Sequence, residues 1–120
     1  MSESNEKPYD LEERTFQFAK SVRAFLKTVP RTLANIEDGK QLIRSSGSIG
    51  ANYIEANESL GKKDFRFRIR ISRKEAKETV YWLRLLDTGT NPSIELKRVE
   101  LTQEATELMR ILAAILRKSE

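Results

Sequence analysis

The residue types that most often carry enzyme chemistry are missing from this sequence. Its 120 residues include no His and no Cys. Without His there is no common general base or metal ligand, and Ser-His-Asp, Cys-His and Glu-x-x-His arrangements cannot be built. Without Cys there is no thiol catalysis, disulfide scaffold or thiolate zinc site. The run Ser46-Gly47-Ser48-Ile49-Gly50 lacks the first Gly of a nucleophile elbow and follows no strand pattern. Gly47-x-x-Gly50 has the spacing of a nucleic-acid-binding GxxG loop, but the helix-turn-helix that flanks such a loop is absent. Glu55 and Glu58 could suggest carboxylate ligands, yet a di-iron bundle also needs Glu-x-x-His; they read as solvated or ion-paired. Asn52 and Asn57 sit among small residues and read as hydrogen-bonding groups. No catalytic residue, no metal ligand set and no cofactor is expected.

Charge gives a stronger signal. The chain carries 22 Lys+Arg against 18 Asp+Glu, a formal +4. Between Gly61 and Lys77 stand Lys62, Lys63, Arg66, Arg68, Arg70, Arg73, Lys74 and Lys77, opposed by Asp64 and Glu75. That stretch is +6, so the remainder is −2. At about 100° per residue, all of these cations except Arg68 fall within an arc of about 120°. A stripe of this kind suits phosphate backbones. The candidate nucleic-acid-binding residues are therefore Lys62, Lys63, Arg66, Arg70, Arg73, Lys74 and Lys77. The competing reading is a solvated face, or one that meets an acidic protein partner.

Four amphipathic segments must position this stripe. The first, Leu11 to Val29, places Leu11, Thr15, Phe18, Val22, Phe25, Leu26 and Val29 on one face; Asp10 with Glu13 makes an acidic capping box, and Pro30 ends it. The second, Leu33 to Leu60, has Thr32 as N-cap and Gly61 as C-terminal cap. It carries two apolar rows: Ile36, Ile43 and Ile54 run with Gly39, Gly47 and Gly50, and Leu42, Ile49, Tyr53, Ala56 and Leu60 form the other. The apolar period passes through the glycines without losing phase, which argues for close approach of a neighbouring helix rather than a break. The third, Lys63 to Leu86, has a core stripe of Phe65, Ile69, Ser72, Ala76, Thr79, Val80, Leu83 and Leu86. The turn-rich connection Asp87–Pro92 leads to Ser93 as N-cap of the fourth, Ile94 to Lys118. With no strand pattern and short connections, the fold class is all-α, an antiparallel up-down-up-down four-helix bundle. Residues 1–9 are expected to be a flexible tail and 10–120 the bundle domain.

The third segment has apolar residues beyond its core stripe. Phe67, Ile71, Trp82 and Leu85 lie about 100–160° from it. A bundle helix buries one stripe, so a second points to a wide core or to another chain. The candidate oligomer interface is Phe67, Ile71, Trp82 and Leu85, with Leu42 and Ile49 of the second segment.

These runs also carry a family resemblance. Lys40–Ser59, KQLIRSSGSIGANYIEANES, resembles the signature of the four-helix-bundle proteins related to 23S ribosomal RNA intervening-sequence proteins. Lys62–Asp87 looks like that family's third helix, and Tyr9–Thr32 is similar to its first. The resemblance implies a bacterial protein, a four-helix bundle, assembly as a ring homo-oligomer (a pentamer), and no catalytic residue. A cousin, the accessory variability determinant of diversity-generating retroelements, is a basic barrel that binds nucleic acid and a reverse transcriptase; nothing in this chain points to a neighbouring reverse transcriptase. Residues Met1 to Lys7 lack the apolar core of a signal peptide, and no stretch suits a membrane, so the default compartment is the cytoplasm. The combined expectation is a non-enzymatic, oligomeric bundle that binds RNA or DNA backbone. The alternative is a protein-protein interaction scaffold without nucleic-acid contact.

Overall fold

The chain forms α1 (Leu11–Leu26), α2 (Leu33–Asn57), α3 (Lys62–Leu85) and α4 (Pro92–Lys118). The structure is a computed structural model that describes residues 10–120, so the expected tail at 1–9 lies outside the described residues. Connections of six, four and six residues force chain neighbours to run antiparallel. Contacts across the seams agree, because partner numbers fall as the others rise. Asn35 meets Asp87, Ser45 meets Thr79, Ile49 meets Ser72 and Asn52 meets Arg68. Each helix packs on its chain neighbours, and α1 also packs on α4.

The helix ends show where local chemistry prevailed. Thr32 caps α2 as expected, its side chain accepting from Asn35 N at 3.1 Å. Asp10 makes no side-chain cap bond. Gly61, expected to cap the end of α2, has the extended backbone of an N-cap and starts α3 instead (φ −149°, ψ 166°). Asn91 replaces Ser93 as the cap of α4, accepting from Ser93 N and Ile94 N at 2.9 and 3.3 Å. Pro92 follows it at the first helical position, where its missing N–H is not needed.

The core is built from Phe18, Val22, Leu42, Ile49, Ile69, Leu83, Leu108 and Leu112, all at most 3% exposed, with smaller residues between them. Small polar groups let α2 and α3 approach. The Ser72 hydroxyl donates to Ile49 O at 2.7 Å. Thr79 donates to Glu75 O at 2.8 Å, and its oxygen lies 2.9 Å from Ser45 Oγ, which can donate to it. The α1–α4 seam is closed by Arg14, whose Nε and Nη2 reach Glu104 at 2.7 and 2.9 Å and which also pairs with Glu107. The Glu104 hydrogen bonds hold the Arg14 guanidinium above its usual pKa, against the effect of burial.

Close approach at the glycines is real at one position. A Cβ on Gly50 would sit 2.7 Å from Thr15 Oγ1 and 3.1 Å from Thr15 Cβ. On Gly39 it would meet Leu26 Cδ2 at an ordinary 3.5 Å. Gly50→Ala should therefore destabilise by about 1–3 kcal/mol, although the helix interior favours Ala by about 1 kcal/mol. Gly39→Ala should be neutral or stabilising. Thermal melts of the two variants check this, and a higher melting temperature for Gly50→Ala would refute the close approach.

The turn into α4 is fastened by Arg98, which donates to Leu86 O and pairs with Glu95. The Thr88 hydroxyl donates to Glu95 Oε1 at 2.9 Å. That bond, and then Arg98, hold the Glu95 carboxyl below its ordinary value of 4.5. A depressed carboxylate contributes stability that is present above 4.5 and lost as pH falls through the lower folded value. Urea melts between about pH 5 and about pH 3 should show a shallower loss for Glu95→Gln than for the parent chain.

Candidate nucleic-acid interface

Helix α3 is committed to the core along one narrow row. Ile69, Ser72, Ala76, Thr79 and Leu83 are buried, following the helical repeat. Phe65, Val80 and Trp82 pack against the core beside that row, and the remaining positions are free to carry charge. Lys62, Lys63, Arg70, Arg73, Lys74 and Lys77 are exposed. Arg66 is half-buried and lies 4.0 Å from Glu120. Among the described residues, none of the other six has a carboxylate within ion-pairing distance. Two acids of α3 are drawn to its other side. Glu75 and Glu78 both pair with Arg44 of α2, Glu75 at 3.5 Å. Glu75 Oε1 is held there by charge without a hydrogen bond. Arg68 also turns to α2 and donates to Asn52 Oδ1 at 3.3 Å, as its place outside the arc implied.

The stripe faces the α4 edge of the bundle. Arg66 meets Glu120, and Arg98 donates to Leu86 O on the same seam. Along that face α4 presents Thr102, Thr106, Met109, Ala113, Arg110 and Arg117 by the 100° arithmetic. Its acids Glu104 and Glu107 turn to Arg14 of α1. The arc thus lies beside uncharged or basic positions, and Arg84, Arg110 and Arg117 extend it. Arg84 was legible in the sequence, seven residues after Lys77 on the same helical row. Arg110 and Arg117 were not, because nothing in the sequence shows which face of α4 meets α3. Tyr81, 55% exposed, stands at the end of the arc.

The apolar candidates divide. Phe67 and Leu85 are 52% and 47% exposed and remain available. Ile71 and Trp82 are half-buried. Trp82 packs against the core, and its Nε1 is buried without a hydrogen-bond partner. Leu42 and Ile49 do not belong to an oligomer interface: both are 0% exposed in the single chain. The two rows of α2 are inverted relative to expectation. Leu42, Ile49, Tyr53 and Ala56 fill the bundle, whereas Leu60 of the same expected row lies past the end of α2 at Asn57 and is fully exposed; Ile36, Ile43 and Ile54 are 38%, 40% and 44% exposed. The row without glycine supplies the bulk that a core needs; the row with glycine lets α1 come close and leaves its isoleucines at the rim. Ile54 borders a cavity of about 380 Å3 between α1 and α2, lined by Thr15, Phe16, Ala19, Gly47 and Gly50 among others, and Ile36 and Ile43 border a second of about 210 Å3 further along the same seam.

The weaker motifs have structural roles or none assigned. Asn52 donates to Ser48 O at 3.0 Å and Asn57 to Glu12 Oε2 at 2.9 Å. Gly47 and Gly50 lie within helix α2, not in a loop. Among the described residues no three potential metal ligands come together, and no helix is long and apolar enough to cross a membrane.

The fold is an all-α four-helix bundle with a cationic arc on one helix and apolar residues exposed outside its core. Residues 7–114 match the 23S rRNA-intervening sequence protein family, and the chain belongs to it. It is also similar to a crystal structure of a protein with unknown function from the S23 ribosomal protein family of Bacteroides thetaiotaomicron. That likeness has 30% identity and a TM-score of 0.73 and covers 92% of this chain and 97% of the other. No curated protein matches the chain.

Proposed function

We propose that this protein is a non-enzymatic, oligomeric helical bundle of the bacterial cytoplasm that binds nucleic-acid backbone, RNA foremost, through the basic face of α3. The observation that carries this reading is the arc itself: exposed cations with Glu75 and Glu78 turned away. Successive members Arg66, Arg70, Arg73 and Lys77 rise by about 4.5–6 Å along the helix axis, close enough together to meet neighbouring phosphates of one strand. The family's name ties it to sequences inserted in 23S rRNA, which favours RNA over DNA as the polymer. Assembly into a ring, a pentamer as the resemblance implies, would repeat the arc around a collar and multiply its field.

The arc offers charge and few stacking platforms, so discrimination between sequences should be weak. Affinity should fall steeply with salt, with a log–log slope of about −0.7 per phosphate contacted on a single strand. Fluorescence-anisotropy titrations with unrelated RNA and DNA oligonucleotides across a salt series test this. Absence of binding at low salt would transfer the arc to an acidic protein partner and favour the scaffold reading.

A further inference from the structure

The bundle leaves an apolar groove and an apolar ridge on different sides. The groove runs between α1 and α2. Its floor is small, Ala19, Gly47 and Gly50, and its rim is large, Phe16, Ile43 and Ile54. On α1 the lining positions 12, 16, 19, 23 and 26 alternate steps of three and four. That spacing makes a seam for another helix. The ridge is on α3, where Phe67 and Leu85 stand exposed at its two ends.

Length and charge match the two. Ile36 to Ile54 spans 18 residues and Phe67 to Leu85 spans 18 residues, about 27 Å in each case. At its α1 start the groove carries Glu12; towards its other end it carries Lys20, Arg23 and Arg31. The ridge begins beside Lys62 and Lys63 and ends beside Asp87. With α3 laid parallel to α1, opposite charges meet at both ends. Lys74 then falls level with Lys20, and its long stem lets the ammonium swing out toward the stripe. A strip about 27 Å long and two helices wide outlines on the order of 500 Å2, the scale of a modest contact per partner.

We propose that the α1/α2 groove of one copy receives the α3 ridge of a second copy, Phe67 entering near Ile54 and Leu85 near Ile36. This deepens the oligomeric part of the reading above and does not depend on nucleic-acid binding. Groove and ridge are different surfaces, so the contact is head-to-tail and propagates until a ring closes or a filament grows. Arg66, Arg70, Arg73 and Lys77 point toward α4 and stay outside the contact.

The absence of Cys makes a direct test simple. Ile54→Cys and Phe67→Cys are prepared as separate single variants, checked for parental melting and mixed under mild oxidation. A disulfide-linked dimer should form in the mixture and not in either variant alone. The pair Ile36→Cys with Leu85→Cys repeats the test at the other end, should either first variant fail to fold. Ile54→Cys mixed with Leu85→Cys should stay unlinked if the direction is right. Self-linking of one variant would show a two-fold contact and overturn the proposal. So would an unlinked mixture while light scattering reports an oligomer, an outcome that leaves self-association standing through other surfaces. A monomer by light scattering at micromolar concentration would overturn this proposal and the oligomeric reading together, and the anisotropy titration would judge nucleic-acid binding separately.

Discussion

Asn35→Ala is expected to lower stability by about 3 kcal/mol, a large share of what a domain this size has. Asn35 is 4% exposed and ties together two connections that lie far apart in sequence. Its Nδ2 donates to Pro30 O at 2.9 Å and to Asp87 O at 2.8 Å, and its Oδ1 accepts from Asp87 N at 3.0 Å. One side chain thus satisfies backbone groups of the α1–α2 turn and of the α3–α4 turn. Ala removes all three bonds and leaves buried groups unpaired, each costing about 1 kcal/mol or more. The melting temperature should drop by more than about 10 °C. Asn35→Asp makes a sharper control. It keeps the acceptor for Asp87 N but sets a carboxylate against two carbonyl oxygens. Such a carboxyl has a raised pKa, so the variant should regain stability as pH falls and the group is protonated. Denaturant melts of the three chains at two pH values decide the matter; an unchanged midpoint for Asn35→Ala would remove its bridging role.

Nothing in the sequence singled out Asn35, because its partner is 52 residues away. A local reading sees only a polar residue three positions after the Thr32 cap. The four helices were legible for the opposite reason: their cores repeat locally, and the breakers Pro30, Gly61 and Gly89 fall between them. The arc of α3 was legible because charge is a property of residue type and needs no partner to be seen. The orientation of α2 was not. Two apolar rows on one helix are equivalent until a neighbouring helix takes one of them, and the glycines belonged to the row that meets α1. The cap of α4 was misplaced by two residues although Asn91-Pro92 carries a start signal of its own, an Asn cap followed by Pro in the first turn.

Replacing Arg70, Arg73 and Lys77 together with Gln should weaken binding of every nucleic acid by about two orders of magnitude at about 50 mM salt and flatten the salt slope by about 2. The three are exposed, adjacent along the arc and free of carboxylate partners among the described residues. Gln keeps a long side chain and good helix propensity, so the melting temperature should hold. Arg66 is left in place because its pairing with Glu120 would mix a packing effect into the result. The control removes the same charge elsewhere: Lys27, Lys40 and Lys97 to Gln lowers the net charge equally but leaves the arc whole. If binding depends on the arc, the control should retain most of its affinity and nearly all of its slope. Equal losses in both variants would mean that overall charge, not the arc, draws the polymer. A salt slope untouched by the arc variant would show that phosphates contact some other surface. Because the three positions lie off the α3 ridge, light scattering should report the same assembly for parent and variant, so that a loss of affinity is read as lost phosphate contacts and not as a lost oligomer.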